Sequence, residues 1–469
     1  DLMSHNVRLT SGGEPTFVSQ TDRDAPEWNI SANGLKKKDL ARRLALALRG
    51  RFAPGSSFHS GQGKWYPGEE IPRWAYSVFF RKDGRPLWRD DRLLADETRN
   101  YNYGPREARM FLEALATRLV GTTETIVPGY EDAYYYLWKE GNLPADVDPM
   151  RKDLSSESER NRLRILLERG MGSITGFALP LNFDGSLQSW TTGSWHFRRE
   201  RMYLIPGDSA MGYRLPLESL SGTDIGFPEL SPMQEKSPFP DVAARTLRRA
   251  QTILATSGDS SSQTQIPMIH MRTSVCVETR DGRLYVFLSP QWDAANYVDL
   301  IASVEDTAAE LQMPVLIEGY EPPTDSRLGR IAVTPDPGVV EVNIHPSDSF
   351  EEHARKLEIL HEEARKCGLT TEKFLHDGRR SGTGGGNHIT LGGPTPVESP
   401  FLQRPDLLRS LITYFQHHPA LSYFFSGQFI GATSQSPRID ETNPESLYEL
   451  AIAFSQLPRS AVPVPGDAA

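Results

Sequence analysis

Cysteine is nearly absent from this chain: Cys276 and Cys367 are the only two in 469 residues. Two thiols cannot frame a disulfide-stapled fold, and neither sits at the paired spacing of a zinc site. Lysine is scarce as well, supplying eleven of the 51 basic residues, with arginine supplying the other forty. Such a bias reads first as the mark of a GC-rich genome. Its functional reading, bidentate contact with carboxylate or phosphate, has to be argued site by site. Long apolar runs are missing. No stretch approaches the roughly 18 consecutive apolar residues of a membrane span. The opening DLMSHNVRLT lacks the charged and apolar regions of a signal peptide, so a soluble, cytoplasmic protein that engages no membrane is expected. Nor is positive charge in excess: 51 basic against 61 acidic side chains leave a net charge of −10. A broad nucleic-acid surface is thereby excluded, because phosphate binding needs a clustered cationic face. Hydrophobic residues make up only 38%, but a chain this long still buries most of them in a sizeable core.

The periodicities that remain describe a mixed architecture. VRLTSGGEPTFVS reads as a strand broken by Gly12 and Gly13, and Lys37 to Arg49 as a helix with Leu40, Leu44 and Leu48 on one face. Pro105 opens a second helix carrying Phe111, Leu112, Leu115 and Leu119, and Ser155 or Ser156 caps a third that runs to about Glu168. Short strands follow between Ile174 and Leu204. From 219 to 265 the composition shifts to a loop-rich insertion with one short helix. In TSVCVETRDGRLYVFLS, alternating apolar residues flank Asp281-Gly282, a strong hairpin signal. A helix from about Ala294 to Leu311 leads into the strands PVLIEGY, RIAVT and GVVEVNIHP. Asp348 with Glu351 then marks the capped start of a helix ending near Cys367-Gly368. Antiparallel strands interleaved with helices indicate an α+β fold with helices on one face of the sheet. No internal repeat divides the chain. We expect one domain over 1–454 and a Pro/Ala-rich tail over 455–469.

Three groups of residues could carry chemistry. In GTGGGNHITLGG, the run Gly384, Gly385 and Gly386 brings backbone N–H groups close to a ligand without side chains. That suits a phosphate, with Asn387 and His388 leading into a strand; the Lys-Ser/Thr ending of a Walker loop is missing. The alternative is a plain tight connection between strands. In EVNIHP, strand alternation projects Glu341, Asn343 and His345 together while Val342 and Ile344 pack the other way. Glu318 in PVLIEG and Glu14 in GGEPTF are likewise carboxylates in strands that otherwise read as buried. With a histidine they compose the oxygen-rich set that Mg²⁺ or Mn²⁺ takes. The cationic candidates are Lys64 in GQGKWYPGEE and Arg438 in TSQSPRIDE, both in loops where a basic side chain meets phosphate or a surface acid. Tyr134 to Tyr136, Trp190 and Trp195 read as packing residues. No Ser-His-Asp or Cys-His order supports covalent hydrolysis.

The strings SGGEPTFVS, KWYPGE, VTPDPGVVEVNIHP, HDGRRSGTGGGNHITLGG, RPDLLRSL and FIGATSQSPRIDE resemble the putative amidoligase family of bacterial proteins, over nearly the whole chain. Its members are often fused behind a transglutaminase-like domain, and the family is similar to the carboxylate-amine ligases of glutamine synthetase-like fold. The resemblance implies a curved, mainly antiparallel sheet with helices on its outer face. It also implies an ATP- and Mg²⁺-dependent ligase that joins an amino-acid or peptide carboxylate to an amine through an acyl phosphate. On it, Glu341 and Glu14 would be metal ligands, His388 would contact a metal or the ATP phosphates, and Arg438 would stabilise the transferring phosphoryl group. A transglutaminase-like domain or separate chain is a further expected partner. Thr16 and Thr334 stand where related ligases carry further acids. Family members are expected to continue past LYELAIAF into a Glu-x-Arg strand, whereas this sequence runs into LPRSAVPVPGDAA. The rival reading is therefore a catalytically incomplete homologue serving as a peptide- or nucleotide-binding module, and a third is phosphotransfer without ligation.

Overall fold

The computed structural model of the chain describes residues 7–12, 15–65, 73–142, 172–207, 209–220, 236–241, 244–246, 249, 271–374, 377–383, 388–418, 420 and 445–457. The helix expected from Ser155 or Ser156 to Glu168 and most of the 219–265 insertion lie outside them. In chain order the elements run β1 (Arg8–Gly12), β2 (Thr16–Ser19), α1 (Leu35–Phe52), β3 (Ser57–Gln62), β4 (Trp74–Arg81), α2 (Pro105–Val120), β5 (Val127–Glu131), α3 (Ala133–Gly141) and β6 (Ile174–Pro180). Next come β7 (Asn182–Asp184), β8 (Ser189–Thr191), β9 (Met202–Leu204), β10 (Ser274–Arg280), β11 (Arg283–Leu288), α4 (Ala294–Leu311), β12 (Leu316–Gly319), β13 (Leu328–Asp336) and β14 (Val339–Asn343). After them follow α5 (Phe350–Lys366), β15 (Leu369–Thr370), β16 (Glu372–Phe374), β17 (Arg380–Gly382), β18 (His388–Gly392) and the helices Pro400–Gln403, Pro405–His417 and Glu445–Gln456.

Local chemistry accounts for the element ends. Pro105 occupies the first turn of α2, the Glu107 carboxylate accepts from the Gly104 N–H at 2.8 Å, and Gly121 closes the helix at φ 75°. The cap of α5 falls one residue later than the sequence suggests. Ser349 Oγ accepts from the Glu352 N–H at 3.1 Å, and the Glu352 carboxylate accepts from the Asp348 N–H at 2.8 Å. Asp281 and Gly282 both take positive φ, 48° and 73°, the conformation a two-residue hairpin turn requires.

Twelve strands form one sheet in the order β15-β2-β14-β13-β4-β3-β12-β11-β10-β6-β5-β9. Its neighbours are antiparallel except β3–β12, β12–β11 and β5–β9. The β11–β12 pair is parallel because α4 connects the two strands as a crossover. Consecutive residues of β4 show how the sheet is covered. Val78 joins a core with Leu44 and Leu48 of α1 and Leu360 of α5, whereas Phe79 joins one with Leu112 and Leu115 of α2 and Leu300 of α4. Helices thus pack on both faces, α1 and α5 against one half of the sheet and α2 and α4 against the other. This corrects the expectation of helices on a single outer face. The apolar row of β13 and β14 (Ile331, Val333, Val340, Val342) projects to one side, and that of β10 and β11 (Val275, Val277, Val286, Leu288) to the other. Each fully buried leucine contributes about 1.5–3 kcal/mol, so each half recruits helices to its own apolar side.

Two histidines, one fully buried and one partly buried, are packed into this framework. His59 is fully buried between the rings of Phe79 and Tyr297, with neither ring nitrogen hydrogen-bonded among the described residues; burial, then Arg330, lowers its pKa to about 3. His345 does not share a face with Glu341 as strand alternation suggested. β14 ends at Asn343, and the ring packs edge-on against Phe52 and Phe80 toward α1. Burial, then Lys356, lowers its pKa to about 4. Both values lie below the unfolded value near 6.5, so in the window beneath it the unfolded chain binds more protons. This stability is complete above about pH 6.5 and is lost as pH falls toward 4 and then 3. Thermal melts followed by circular dichroism should show this acid limb, and His59→Leu should flatten it. At pH 7 that variant should be neutral or more stable by about 1 kcal/mol, since it removes two unpaired buried nitrogens. A midpoint that holds steady down to pH 4 would contradict the assignment.

Candidate functional site

Glu341 sits buried in the middle of β14, directly opposite Thr334 of β13 on one side and Thr16 of β2 on the other. Residues paired in register share a face, so the carboxylate is flanked by two threonines. The Thr334 hydroxyl is sealed from solvent with no hydrogen-bond partner among the described residues. Lys64 Nζ reaches Glu341 Oε2 at 3.4 Å. It does so because the β3–β4 ladder continues past Gln62: the Gly63 N–H donates to the Arg73 carbonyl at 2.6 Å and the Arg73 N–H to that of Lys64 at 3.1 Å. Arg73 in turn is tied to Asp336, at the end of β13, at 2.5 Å. Sequence reading put Lys64 and Glu341 on separate motifs, and the hairpin extension joins them.

The glycine-rich segment is anchored at the same corner. Thr383, the residue before Gly384, hydrogen-bonds Thr16 Oγ1 at 2.7 Å and donates to the Thr16 carbonyl at 2.9 Å. At its other end His388 pairs in register with Gly12 in the two-stranded β1–β18 ladder. Thr16 and Gly12 lie on either side of Glu14, and the Pro15 carbonyl accepts the Val342 N–H at 3.0 Å. The chain flanking Glu14, the chain flanking the glycines and Glu341 therefore meet. Glu14, Gly384, Gly385, Gly386, Asn387 and Arg438 themselves lie outside the described residues, as does the side chain of His388.

Glu318 is elsewhere. It lies on β12, four strand spacings or about 19 Å from β14 at the usual inter-strand distance. It also projects to the opposite face, since its neighbour Ile317 pairs with His59, which pairs with Ser77, on the Glu341 side. One ion cannot take both carboxylates. Arg280 holds Glu318 Oε1 at 2.5 Å, and burial raises the Glu318 pKa against the pull of that arginine. Gly319, at φ 97° and where a side chain's Cβ would lie 2.5 Å from the Leu288 carbonyl oxygen, turns the chain immediately afterwards. Glu321 consequently returns to the Glu341 face, where it accepts from Ser77 Oγ at 2.6 Å and from Arg330 at 2.8 Å. Ser77, Glu321 and Arg330 were not singled out in the sequence. Alternation along WAYSVFFR and RIAVT marks their face, but only strand order brings them together.

The donors described around Glu341 are a carboxylate and two threonine hydroxyls, the hard oxygen chemistry that Mg²⁺ accepts but too few to complete its shell. Among the described residues, no group of three or more His, Cys, Asp or Glu side chains is placed to hold a metal ion. No described helix is long and apolar enough to cross a membrane.

Over residues 1–466 the chain matches the family described as "Putative amidoligase enzyme (DUF2126)". It belongs to that family, as the motif resemblance implied, and the family description makes it an enzyme of ligase type. No curated protein and no solved structure matches it. If Thr383 anchors the glycine-rich segment, Thr383→Val, which removes both bonds to Thr16, should lower the free energy of urea unfolding by about 1–2 kcal/mol. An unchanged midpoint would show that the contact holds nothing in place.

Proposed function

We propose that the chain joins a carboxylate to an amine at the expense of ATP, on the sheet face that carries Glu341, and that the fold is of the glutamine synthetase type. The observation that carries this reading is the convergence on Glu341 of Lys64 and of the chain flanking both Glu14 and the glycine run. Buried carboxylates are costly unless they pair or coordinate, and Glu341 has the Lys64 ammonium at 3.4 Å.

In this reading Glu341, Glu14 and His388 hold a divalent cation, and Glu318 leaves the set because it lies on the other face. Bound there, Mg²⁺ or Mn²⁺ would draw charge from the phosphate oxygens. The backbone amides of Gly384, Gly385, Gly386 and Asn387 cradle those phosphates, while Lys64 and Arg438 face the charge that builds as the phosphoryl group transfers. The substrate carboxylate oxygen bonds to the γ-phosphorus and ADP leaves. The amine nitrogen then bonds to the acyl carbon, its proton is lost and phosphate leaves. Preorganised positive charge is what such a transfer chiefly requires, and the two cations supply it without side-chain covalency. The free carboxylate would be an amino acid or peptide terminus, and a transglutaminase-like chain would act beside it. An ATP substrate places the reaction in the cytoplasm.

Hydroxylamine traps acyl phosphates as coloured hydroxamates, which gives a direct assay with ATP, Mg²⁺ and a pool of amino acids and dicarboxylic acids. The wild-type chain should release ADP and form hydroxamate, chelation should abolish both, and Mn²⁺ should restore them. Glu341→Gln should cut the rate by about 100-fold or more at an unchanged melting temperature. Turnover undiminished in that variant would sink the reading.

A further inference from the structure

Lys64 stands where strand alternation would turn it away from Glu341. Val333 pairs with Tyr76, so the same register sets Ala75 beside Thr334, the partner of Glu341, and Ala75 pairs in turn with Gly61 of β3. Gly61 is therefore on the Glu341 face, residue 63 follows it there, and residue 64 belongs to the opposite face. Yet Lys64 Nζ lies 3.4 Å from Glu341 Oε2. The alternation breaks at Arg73, which faces two residues at once. Its carbonyl accepts from the Gly63 N–H at 2.6 Å, while its own N–H donates to the Lys64 carbonyl at 3.1 Å. Two residues opposite one is the pattern of a β-bulge, which bends a strand and re-aims the side chain beside it. Glycine suits the crowded side of this one, since a Cβ on Gly63 would lie 3.0 Å from the Trp74 carbonyl oxygen.

A bulge aims a side chain only as firmly as its pivot is held, and Arg73 is gripped from the next strand. The β4–β13 register, carried past Tyr76 and Val333, sets it beside Asp336. There Arg73 Nη1 meets Asp336 Oδ1 at 2.5 Å, with Arg73 only 5% exposed. Asp336 is fixed in turn. It pairs with Val339 across the β13–β14 hairpin, and its carbonyl accepts from the ammonium of Lys37, a fully buried residue of α1, at 3.0 Å. Glu341 sits on the same hairpin, two residues along the strand from Val339. The ion pair thus ties the hairpin that carries the carboxylate to the bulge that turns the lysine. That tie matters for a lysine, whose long stem has many rotamers and here leaves 53% of the side chain accessible.

We propose that Asp336 and Arg73 are positioning residues, whose ion pair holds the bulge that turns Lys64 onto Glu341. The role of Lys64 in phosphoryl transfer rests on the ligase reading; its aim does not. Trace labelling of the purified full chain with acetic anhydride, read lysine by lysine by mass spectrometry, tests the aim without any turnover. Asp336→Asn should raise acetylation of Lys64 about fivefold, and Arg73→Gln and Glu341→Gln should do the same. Lys356 of α5, which is 6% exposed, should stay protected in all three. In the hydroxamate assay Asp336→Asn should lower the rate about tenfold, with no further loss when it is introduced into Lys64→Met. Unchanged labelling of Lys64 in Asp336→Asn and Arg73→Gln, or in Glu341→Gln, overturns the proposal. A rise shared with Lys356 overturns it as well, because the pair would then support the fold and not the aim. So does an equal loss of rate in the wild-type and Lys64→Met backgrounds. A wild-type chain that forms no hydroxamate would sink the ligase reading and leave the labelling to decide this one.

Discussion

Successive side chains of a β-strand point to opposite faces, and in a sheet of twelve strands that alternation decides which residues can ever act together. Val78 and Phe79 are neighbours in sequence yet belong to different cores. Glu318 and Glu341 look alike in sequence, each a carboxylate within an apolar strand, yet alternation carried across β3 and β12 sends them to opposite sides. The helices follow the same rule, each half of the sheet recruiting them to the face where its apolar row projects. The sheet positions on the Glu341 face around that carboxylate include the short residues Thr16, Thr334, Ser77, Gly61 and Ala75. A floor of short side chains leaves room for a ligand above it.

Desolvation explains why the arginine surplus recurs wherever an acid is buried. Glu305 accepts from the Arg89 Nε at 2.8 Å as well as from the N–H groups of Arg89 and Asp90. Asp299 accepts from Arg249 at 2.8 Å and from the Trp190 indole at 2.6 Å. Glu305 engages donors with both oxygens, whereas both Asp299 bonds fall on Oδ2 and its Oδ1 has no hydrogen-bond partner among the described residues. Lys64 beside Glu341 is a flexible cation at longer range. Arg280 is different again, tightly paired on one side and open on another.

The regular elements were legible because their signals are local. Caps at Gly104 and Asp293, the left-handed pair at Asp281-Gly282 and the leucine stripe of α1 act within a few residues of where they are read. Glu341 was legible as a candidate because it interrupts the apolar run of GVVEVN, although the pattern alone left a solvent-facing strand side equally open. Lys64 was recognised as a cation but not as its partner, since their pairing depends on a hairpin ladder extending two residues beyond the strand. His345 was misplaced because alternation applies only while the strand lasts, and β14 stops at Asn343.

By itself the sequence determined most of the described helices and strands, the buried carboxylates Glu318 and Glu341 and the family, all of which rest on short-range patterns or on strings of residues that can be compared directly. Only the tertiary structure decided that β2 lies beside β14 and β3 beside β12, and with that which acid faces which cation. These pairings join residues as far apart in sequence as Thr16 and Glu341. No local period encodes them, because strand order is selected by burying all the apolar rows at once.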